Sequence, residues 1–341
     1  MARHLVTGGS GFLGNLVARR LLEAGHEVYV LDTWKDETFP SEILFYKGDI
    51  RDLDTLKRFM HNIDVVHNAA ALVPLTKSGE DFRAVNVQGS ENVALAAREA
   101  KVEYLIHISS SAVYGKNSSM PITNESPIAP DEIYGKSKAE GESRVREALK
   151  GSETKLLIIR PRTILGTDRL GIFQVLFSWI RENKNVYTIG QGENLFQFIH
   201  AEDLMDAYML LLSKEIEGSF NVGSEVFGSL RSDLCALIQH AGSTSKVLAL
   251  PETITIFGLR LLDKLRLSPL APWHYLTYSK PFYFDVSPLL KLGWRPNYSN
   301  QGMLKESYDS FLRVRSLDTL GMSPHRKPLK ERALWLLKKL S

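Results

Sequence analysis

The sequence predicts an α/β fold, a doubly wound parallel sheet with a smaller, discontinuous lobe towards the C-terminus. Three observations carry the prediction. A glycine-rich turn, Thr7-Gly8-Gly9-Ser10-Gly11-Phe12-Leu13-Gly14, sits between an apolar strand and a helical stretch. Short apolar runs then alternate with helical stretches. Small and polar residues gather at the carboxyl ends of those runs, where this architecture places its sites.

The elements follow in order. Leu5-Val6 and Val28-Tyr29-Val30-Leu31 read as buried strands bracketing a helix over 12–24, a unit that favours parallel strands and right-handed crossovers. At the first turn Gly8 allows the sharp bend, Gly11 lets backbone approach a pyrophosphate, and Gly14 lets helix pack against strand. The helix N-terminus offers N–H groups and partial positive charge to phosphates. Asp32, 18 residues after Gly14, ends the second strand, where a carboxylate can accept hydrogen bonds from a ribose diol. It repels a 2′-phosphate, which favours NAD(H); Lys35 nearby leaves NADP(H) open.

A third strand, Phe45-Tyr46-Lys47-Gly48-Asp49-Ile50, places Asp49 to meet an adenine. A fourth, Val65-Val66-His67, ends in Asn68-Ala69-Ala70-Ala71, whose small side chains leave room for a cofactor. A fifth, Tyr104-Leu105-Ile106-His107-Ile108, runs into Ser109-Ser110-Ser111. A sixth covers 156–161, and Phe220-Asn221-Val222-Gly223 reads as the last sheet strand. Residues 173–182 are amphipathic, and Phe198-Ile199-His200 leads into a helix through Leu212. The expected division is a cofactor domain over 1–162, completed by about 198–223, and a substrate lobe from 163–197 and 224–313. Residues 314–341 form a basic amphipathic tail.

Tyr134 and Lys138 stand four apart on a helix and so share a face. A lysine cation beside a phenol favours the phenolate, lowering its pKa from about 10. Tyr134 can then serve as general base in alcohol oxidation or as acid in ketone reduction. Tyr29 and Tyr114 lack such a lysine and are structural by comparison. His67 and His107, in apolar strands, suit core or strand-end roles. No His/Cys/Asp/Glu cluster has metal-ligand spacing, so no metal is expected.

At these residues the chain resembles an extended short-chain dehydrogenase/reductase of the NAD-dependent epimerase/dehydratase superfamily. The glycine turn, Asp49-Ile50, Asn68-Ala69-Ala70, Asn86, Ser110-Ser111-Ala112-Val113-Tyr114-Gly115, the Tyr134/Lys138 pair and Leu292-Gly293-Trp294-Arg295-Pro296 carry the resemblance, which spans about 3–313. It implies a Rossmann domain with a catalytic set of Ser110, Tyr134 and Lys138. It further implies that NAD is held by Gly8, Gly11, Phe12, Leu13, Gly14, Asp32, Asp49, Ile50, Asn68, Ala69, Ala70, Asn86, Tyr134 and Lys138. Lys138 would hold the nicotinamide ribose. Ser110 would hydrogen-bond the substrate oxygen; Ser111 is its rival, and the family's spacing to Tyr114 favours Ser110. A homodimer through two helices per subunit is a further implication.

Departures from the sugar-nucleotide branch bear on substrate. Phe196 stands where that branch carries a phosphate-pairing arginine, and its asparagine near Thr163 is missing. Ser111-Ala112 replaces the Asp-Glu a 4,6-dehydratase needs, which argues against dehydration. Arg162 or Arg169 could replace the lost phosphate contact. The run Gly190-Gln191-Gly192-Glu193-Asn194 with Phe196 is more similar to the 3β-hydroxysteroid and sterol-4-carboxylate dehydrogenase branch. The leading expectation is therefore hydride transfer between nicotinamide and a hydroxyl or keto group of a lipophilic, sterol-like or terpenoid substrate. Oxidation of a 3-hydroxyl followed by decarboxylation of the β-keto acid is one version. The alternatives are a nucleotide-sugar 4-epimerase and a non-catalytic cofactor sensor; an intact Ser110, Tyr134 and Lys138 argues against the sensor.

Bulk properties agree. The 341 residues are 44% apolar, ample for a core, and the single Cys235 fits a reducing compartment. Met1-Ala2-Arg3-His4 leads straight into a strand rather than a signal peptide. No apolar stretch reaches spanning length, so a cytoplasmic location is expected. No nucleic-acid partner is expected. From Pro324 onward six basic side chains face one acid, a net +5 within a whole-chain charge of +3. Such a tail can lie on an anionic membrane surface or dock on the protein itself. The apolar 254–262 stretch is expected in the core.

Overall fold

A computed structural model describes residues 1–73, 81–116, 118–167, 171, 173–264 and 277–314. The strands are β1 (Arg3–Thr7), β2 (Glu27–Asp32), β3 (Leu44–Lys47), β4 (Val65–Asn68), β5 (Tyr104–Ile108), β6 (Lys155–Pro161), β7 (Thr163–Leu165), β8 (Val186–Ile189), β9 (Phe198–His200), β10 (Gly218–Val222) and β11 (Val247–Leu250). The helices are α1 (Phe12–Glu23), α2 (Leu53–Met60), α3 (Asp81–Arg83), α4 (Ser90–Glu99), α5 (Ile133–Leu149), α6 (Phe173–Arg181), α7 (Ala201–Ser213), α8 (Leu230–His240), α9 (Glu252–Lys264), α10 (Ser287–Lys291) and α11 (Asn300–Val314).

Seven parallel strands form one sheet in the order β10-β6-β5-β4-β1-β2-β3. The two-residue period of each strand feeds two separate cores. Val6, Val28, Val30, Ile106 and Ile159 pack with Val17 and Leu21 of α1 and Leu204 of α7. Leu5, Leu31, Val66 and Leu105 pack with Leu56 of α2, Val93 of α4 and Val145 of α5. Helices thus cover both faces, the doubly wound Rossmann arrangement predicted from the strand–helix alternation. The order reverses between β1 and β4, and ligands in such sheets bind outside the carboxyl ends at that switch point.

Beyond the main sheet, β7 pairs with β9 and β8 with β11. The predicted third strand runs too long: β3 ends at Lys47, and Asp49 lies in the following turn. The Gly48 N–H still reaches the Asp32 carbonyl, but the Asp49 carbonyl then accepts from Asp52 N–H and closes a bend. The 254–262 stretch, expected in the core, forms most of α9 and buries only part of its surface. Leu259 is 8% exposed, whereas Ile254 and Phe257 are 73% and 71% exposed. Helical spacing puts 254, 257 and 261 on the side away from Leu259, so one packed face cannot cover them. The basic tail and Arg169 lie outside the described residues, apart from Val314, which ends α11. No helix among the described residues is long and apolar enough to cross a membrane.

Candidate active site

The carboxyl ends of β1, β2, β4 and β5 and the first turns of α1 and α5 bring the predicted site residues to one edge of the sheet. Gly8 adopts φ +69°, and a Cβ there would run into the backbone of Ala69 and Ala70 after β4. A Cβ on Gly14 would strike the Gly8 carbonyl oxygen, so α1 begins hard against the turn. A Cβ on Gly11 would meet only that same oxygen, at 3.2 Å, which leaves its outer side open. Gly11 is also the N-cap of α1, and no side chain caps the helix. An open, uncapped helix start beside a glycine cradle fits a pyrophosphate.

Asp32 closes the cradle. Its Oδ2 accepts the Ser10 N–H at 3.0 Å and its Oδ1 the Thr33 N–H at 2.7 Å, which fixes the carboxylate while leaving lone pairs for a diol. Burial raises its pKa, opposed by these N–H groups. Thr7 Oγ1 donates to Asn68 Oδ1 at 2.9 Å, tying the ends of β1 and β4 together beside Ala69 and Ala70. Asp49 is engaged by Arg51, whose Nε donates to both carboxylate oxygens at 3.0 Å, and this holds its pKa low. Ile50 is buried and packs against Gly89.

Asn86 lies in a π-helical turn over Ala84–Gly89, a distortion common at functional sites. Its side chain bridges outward: Nδ2 donates to the Leu72 carbonyl at 3.1 Å and to Ser137 Oγ at 3.0 Å, and Oδ1 accepts from Leu72 N–H at 2.9 Å. The segment after β4 is thereby pinned to α5. Gly141 permits this approach, since a Cβ there would strike the Asn86 carbonyl.

Helix α5 carries Tyr134 and Lys138. Glu132 caps its start, accepting the N–H of Tyr134 at 2.8 Å and of Gly135 at 2.5 Å. The Tyr134 ring, half-buried, meets Phe82 edge-on with centroids 6.0 Å apart. Lys138 is 2% exposed, and its Nζ donates to the Ile108 carbonyl at 2.6 Å, at the end of β5. Burial pushes its ammonium down to about 8, with the Glu142 carboxylate acting in the opposite sense.

The residues after β5 separate the two candidate serines. Ser110 is the N-cap of a 3-10 turn over Ser111–Val113, and its Oγ accepts the Ala112 N–H at 3.2 Å. An accepting Oγ keeps its hydrogen for another oxygen. Ser110 is half-buried, whereas Ser111 is 2% exposed and accepts from Arg162 at 3.1 Å. Tyr114 is buried and structural as expected, hydrogen-bonded to Asn221 at 3.0 Å and Arg160 at 2.7 Å. His67 and His107 are core residues.

Arg162 is not offered to solvent. It is 1% exposed, its Nε donates to the Gln197 carbonyl at 2.9 Å, and the rings of Phe196, Phe282 and Phe284 lie 4.8, 4.3 and 5.7 Å from its guanidinium carbon. Phe196 is itself fully buried and stacked on Tyr278. Sequence reasoning missed Glu132 and Phe82. An acid two residues before Tyr134, opening a helix, was a readable capping signal; Phe82 reaches the site only through tertiary packing.

The model of the "NAD dependent epimerase/dehydratase family" matches residues 4–223. A Sinorhizobium fredii protein of uncharacterised function is 36% identical over 98% of this chain and 85% of its own. A ketoreductase of Stigmatella aurantiaca, acting on 4-hydroxy-2-methyl-3-oxo-4-farnesyl-3,4-dihydroquinoline-1-oxide, is 29% identical over 73% of this chain and 76% of its own. The structure of a Thermus thermophilus UDP-glucose 4-epimerase with NAD aligns at TM-score 0.71 and 25% identity, covering 91% of this chain and 99% of that one. UDP-glucose 4-epimerases recur among the relatives and the solved structures alike.

Proposed function

This chain belongs to the NAD dependent epimerase/dehydratase family, and we propose that it is an oxidoreductase acting on a hydroxyl or keto group of a lipophilic, sterol-like or terpenoid substrate. It is an NAD-dependent enzyme. The glycine turn, Asp32, Asn68, Ala69, Ala70 and Lys138 would hold the cofactor, which when bound supplies the hydride acceptor or donor. Asp49, already paired with Arg51, would approach an adenine with its remaining lone pairs.

Tyr134 moves the proton. In alcohol oxidation its phenolate oxygen takes the hydroxyl proton; in ketone reduction its phenol returns one to the new alkoxide. Lys138 favours the phenolate, and its anchorage on Ile108 ties its cation to the end of β5. Ser110 donates its free hydrogen to the reacting oxygen. Ser111 also accepts, from Arg162, but is 2% exposed, which supports giving that role to its half-buried neighbour.

The observation that carries the lipophilic reading is the enclosure of Arg162. It was a candidate to replace the phosphate-pairing arginine, yet three phenyl rings and internal acceptors occupy its guanidinium. Phe196 fills the place the sugar-nucleotide branch gives to arginine and turns inward as well. The relative acting on a farnesylated quinoline oxide supports the same reading. The nucleotide-sugar 4-epimerase alternative draws on the recurrence of such enzymes among similar structures.

A substrate panel decides between them. Hydroxysterols and prenyl alcohols should generate reduced nicotinamide absorbance, and UDP- or dTDP-sugars should not be epimerised. Turnover of a sugar nucleotide at an ordinary enzymatic rate reverses the assignment. Deleting residues 324–341 should weaken binding to anionic vesicles, most strongly at low salt; equal binding removes the membrane role.

A further inference from the structure

Two arginines at the carboxyl end of β6 reach one small element. Arg160 Nη1 donates to the Tyr114 hydroxyl at 2.7 Å, and its Nε and Nη2 clasp Glu142 of α5 at 2.9 and 2.6 Å. Arg162 Nη1 donates to Ser111 Oγ at 3.1 Å. The 3-10 turn Ser111–Val113 is therefore held at its first residue by one arginine and just past its last by the other. On its remaining side the turn abuts α5: a Cβ on Gly135 would collide with the Ala112 carbonyl, one residue from Tyr134. Ser110 caps this same turn.

Arg162 is the unexpected member. Arg160 has a buried carboxylate partner, whereas Arg162 is paired with none among the described residues, and its Nη2 is buried without a hydrogen-bond partner. A buried cation without a counter-carboxylate is costly, and burial pushes this guanidinium down to about 9. An apolar side chain among Phe196, Phe282 and Phe284 would avoid that cost. What the charged fork adds is a pair of directed donors, one to the Gln197 carbonyl before β9 and one to Ser111.

We propose that Arg162 is a positioning residue: by gripping Ser111 against the aromatic cluster it holds the adjoining Ser110 in place beside the first turn of α5. The inference rests on the proposed roles of Ser110, Tyr134 and Lys138, but its primary test does not require a substrate. The Ala112, Val113 and Tyr114 amides are bonded to Ser110 or Ser111 and report directly on the turn. In the NAD-bound full chain, Arg162→Met should speed their hydrogen exchange about tenfold while the glycine-turn amides stay unchanged. Arg162→Lys, which keeps a donor, should fall between the two. Ser111→Ala removes the acceptor with little change in volume and should reproduce the effect even if Arg162→Met folds poorly. NAD affinity should stay within about twofold, and turnover of an alcohol used by the parent should drop about tenfold or more. Unchanged exchange at 112–114 in both Arg162→Met and Ser111→Ala overturns the inference, as does parental turnover in Arg162→Met. If the parent turns over no lipid alcohol, the substrate reading fails and the exchange result still decides Arg162.

Discussion

At the residue scale the proposed reaction turns on a single proton and a single carboxylate. Tyr134→Phe removes the phenol oxygen but keeps the ring against Phe82. Turnover should fall by about two orders of magnitude or more with NAD affinity nearly unchanged, as steady-state rates and a cofactor titration will measure. Retention of more than about a tenth of parental turnover would remove Tyr134 as the acid/base. Asp32→Ala should weaken NAD binding and improve relative use of NADP, because it deletes the proposed diol acceptor, which would also repel a 2′-phosphate. It should also loosen the glycine turn, since Ser10 N–H loses its acceptor. An unchanged NAD/NADP ratio in paired titrations would mean that Asp32 does not select the cofactor. These residues were legible because each combines a chemical type with a fixed offset: glycines after a strand, an acid at the next strand end, a phenol and an amine one helical turn apart. Arg162 was legible only as a cation. Its offset from the Phe-Ile-His segment said nothing about three rings arriving from elsewhere in the chain.

The decisive packing at the scale of elements is that of α5 on the sheet. Tyr134, Lys138 and Glu142 follow one another at four-residue spacing, so the face that presents the phenol also reaches Ile108 on β5 and Arg160 on β6. The Glu142–Arg160 pair is almost fully buried, at 2% and 4% exposure, and doubly hydrogen-bonded. Glu142→Ala strands the guanidinium and should cost about 3–5 kcal/mol in denaturant unfolding. A Glu142→Met/Arg160→Met double variant should recover part of that loss, because neither member of the pair is left charged without the other. If the double variant is as unstable as the sum of the Glu142→Met and Arg160→Met singles, the pair is not coupled as its geometry requires. The sheet strands were readable from apolar runs, since a parallel sheet covered on both faces needs them. The pairings of β7 with β9 and β8 with β11 were not, because three- or four-residue strands give too few alternations to count. The end of β3 was misplaced for a related reason: Gly48-Asp49-Ile50 continues the apolar–polar alternation while the backbone has already turned.

Three histidines in neighbouring strands tie the whole molecule's stability to pH. His4 of β1 and His67 of β4 share a 2.8 Å contact between ring nitrogens, and the other ring nitrogen of His67 lies 2.5 Å from the Tyr208 hydroxyl of α7. His107 of β5 meets Asn68 at 3.1 Å. Burial lowers all three: His4 to about 4, with His26 adding repulsion, and His67 and His107 well below the usual imidazole range. A neutral ring offers one donor and one acceptor, which suits a chain of partners; a protonated ring brings a charge into a site that burial has stripped of water. The sign follows from proton uptake. Below about pH 6.5 the unfolded chain binds protons that the folded chain refuses, so stability is complete above that value and declines as pH falls towards the lowered pKa values. Each histidine contributes a slope of about 1.4 kcal/mol per pH unit in that window. The buried carboxylates Asp32, Asp203 and Asp233 have raised pKa values and act in the opposite sense, starting from the ordinary carboxylate range near pH 4 and extending upward as far as each is raised. Urea midpoints should therefore drop between pH 7 and pH 5.5. His67→Gln, which keeps polar atoms but cannot be protonated, should flatten that drop by about one proton's worth. A parental midpoint that does not move over this interval would mean that the rings are already charged within the sheet, and the neutral His4–His67–Tyr208 chain would have to be abandoned.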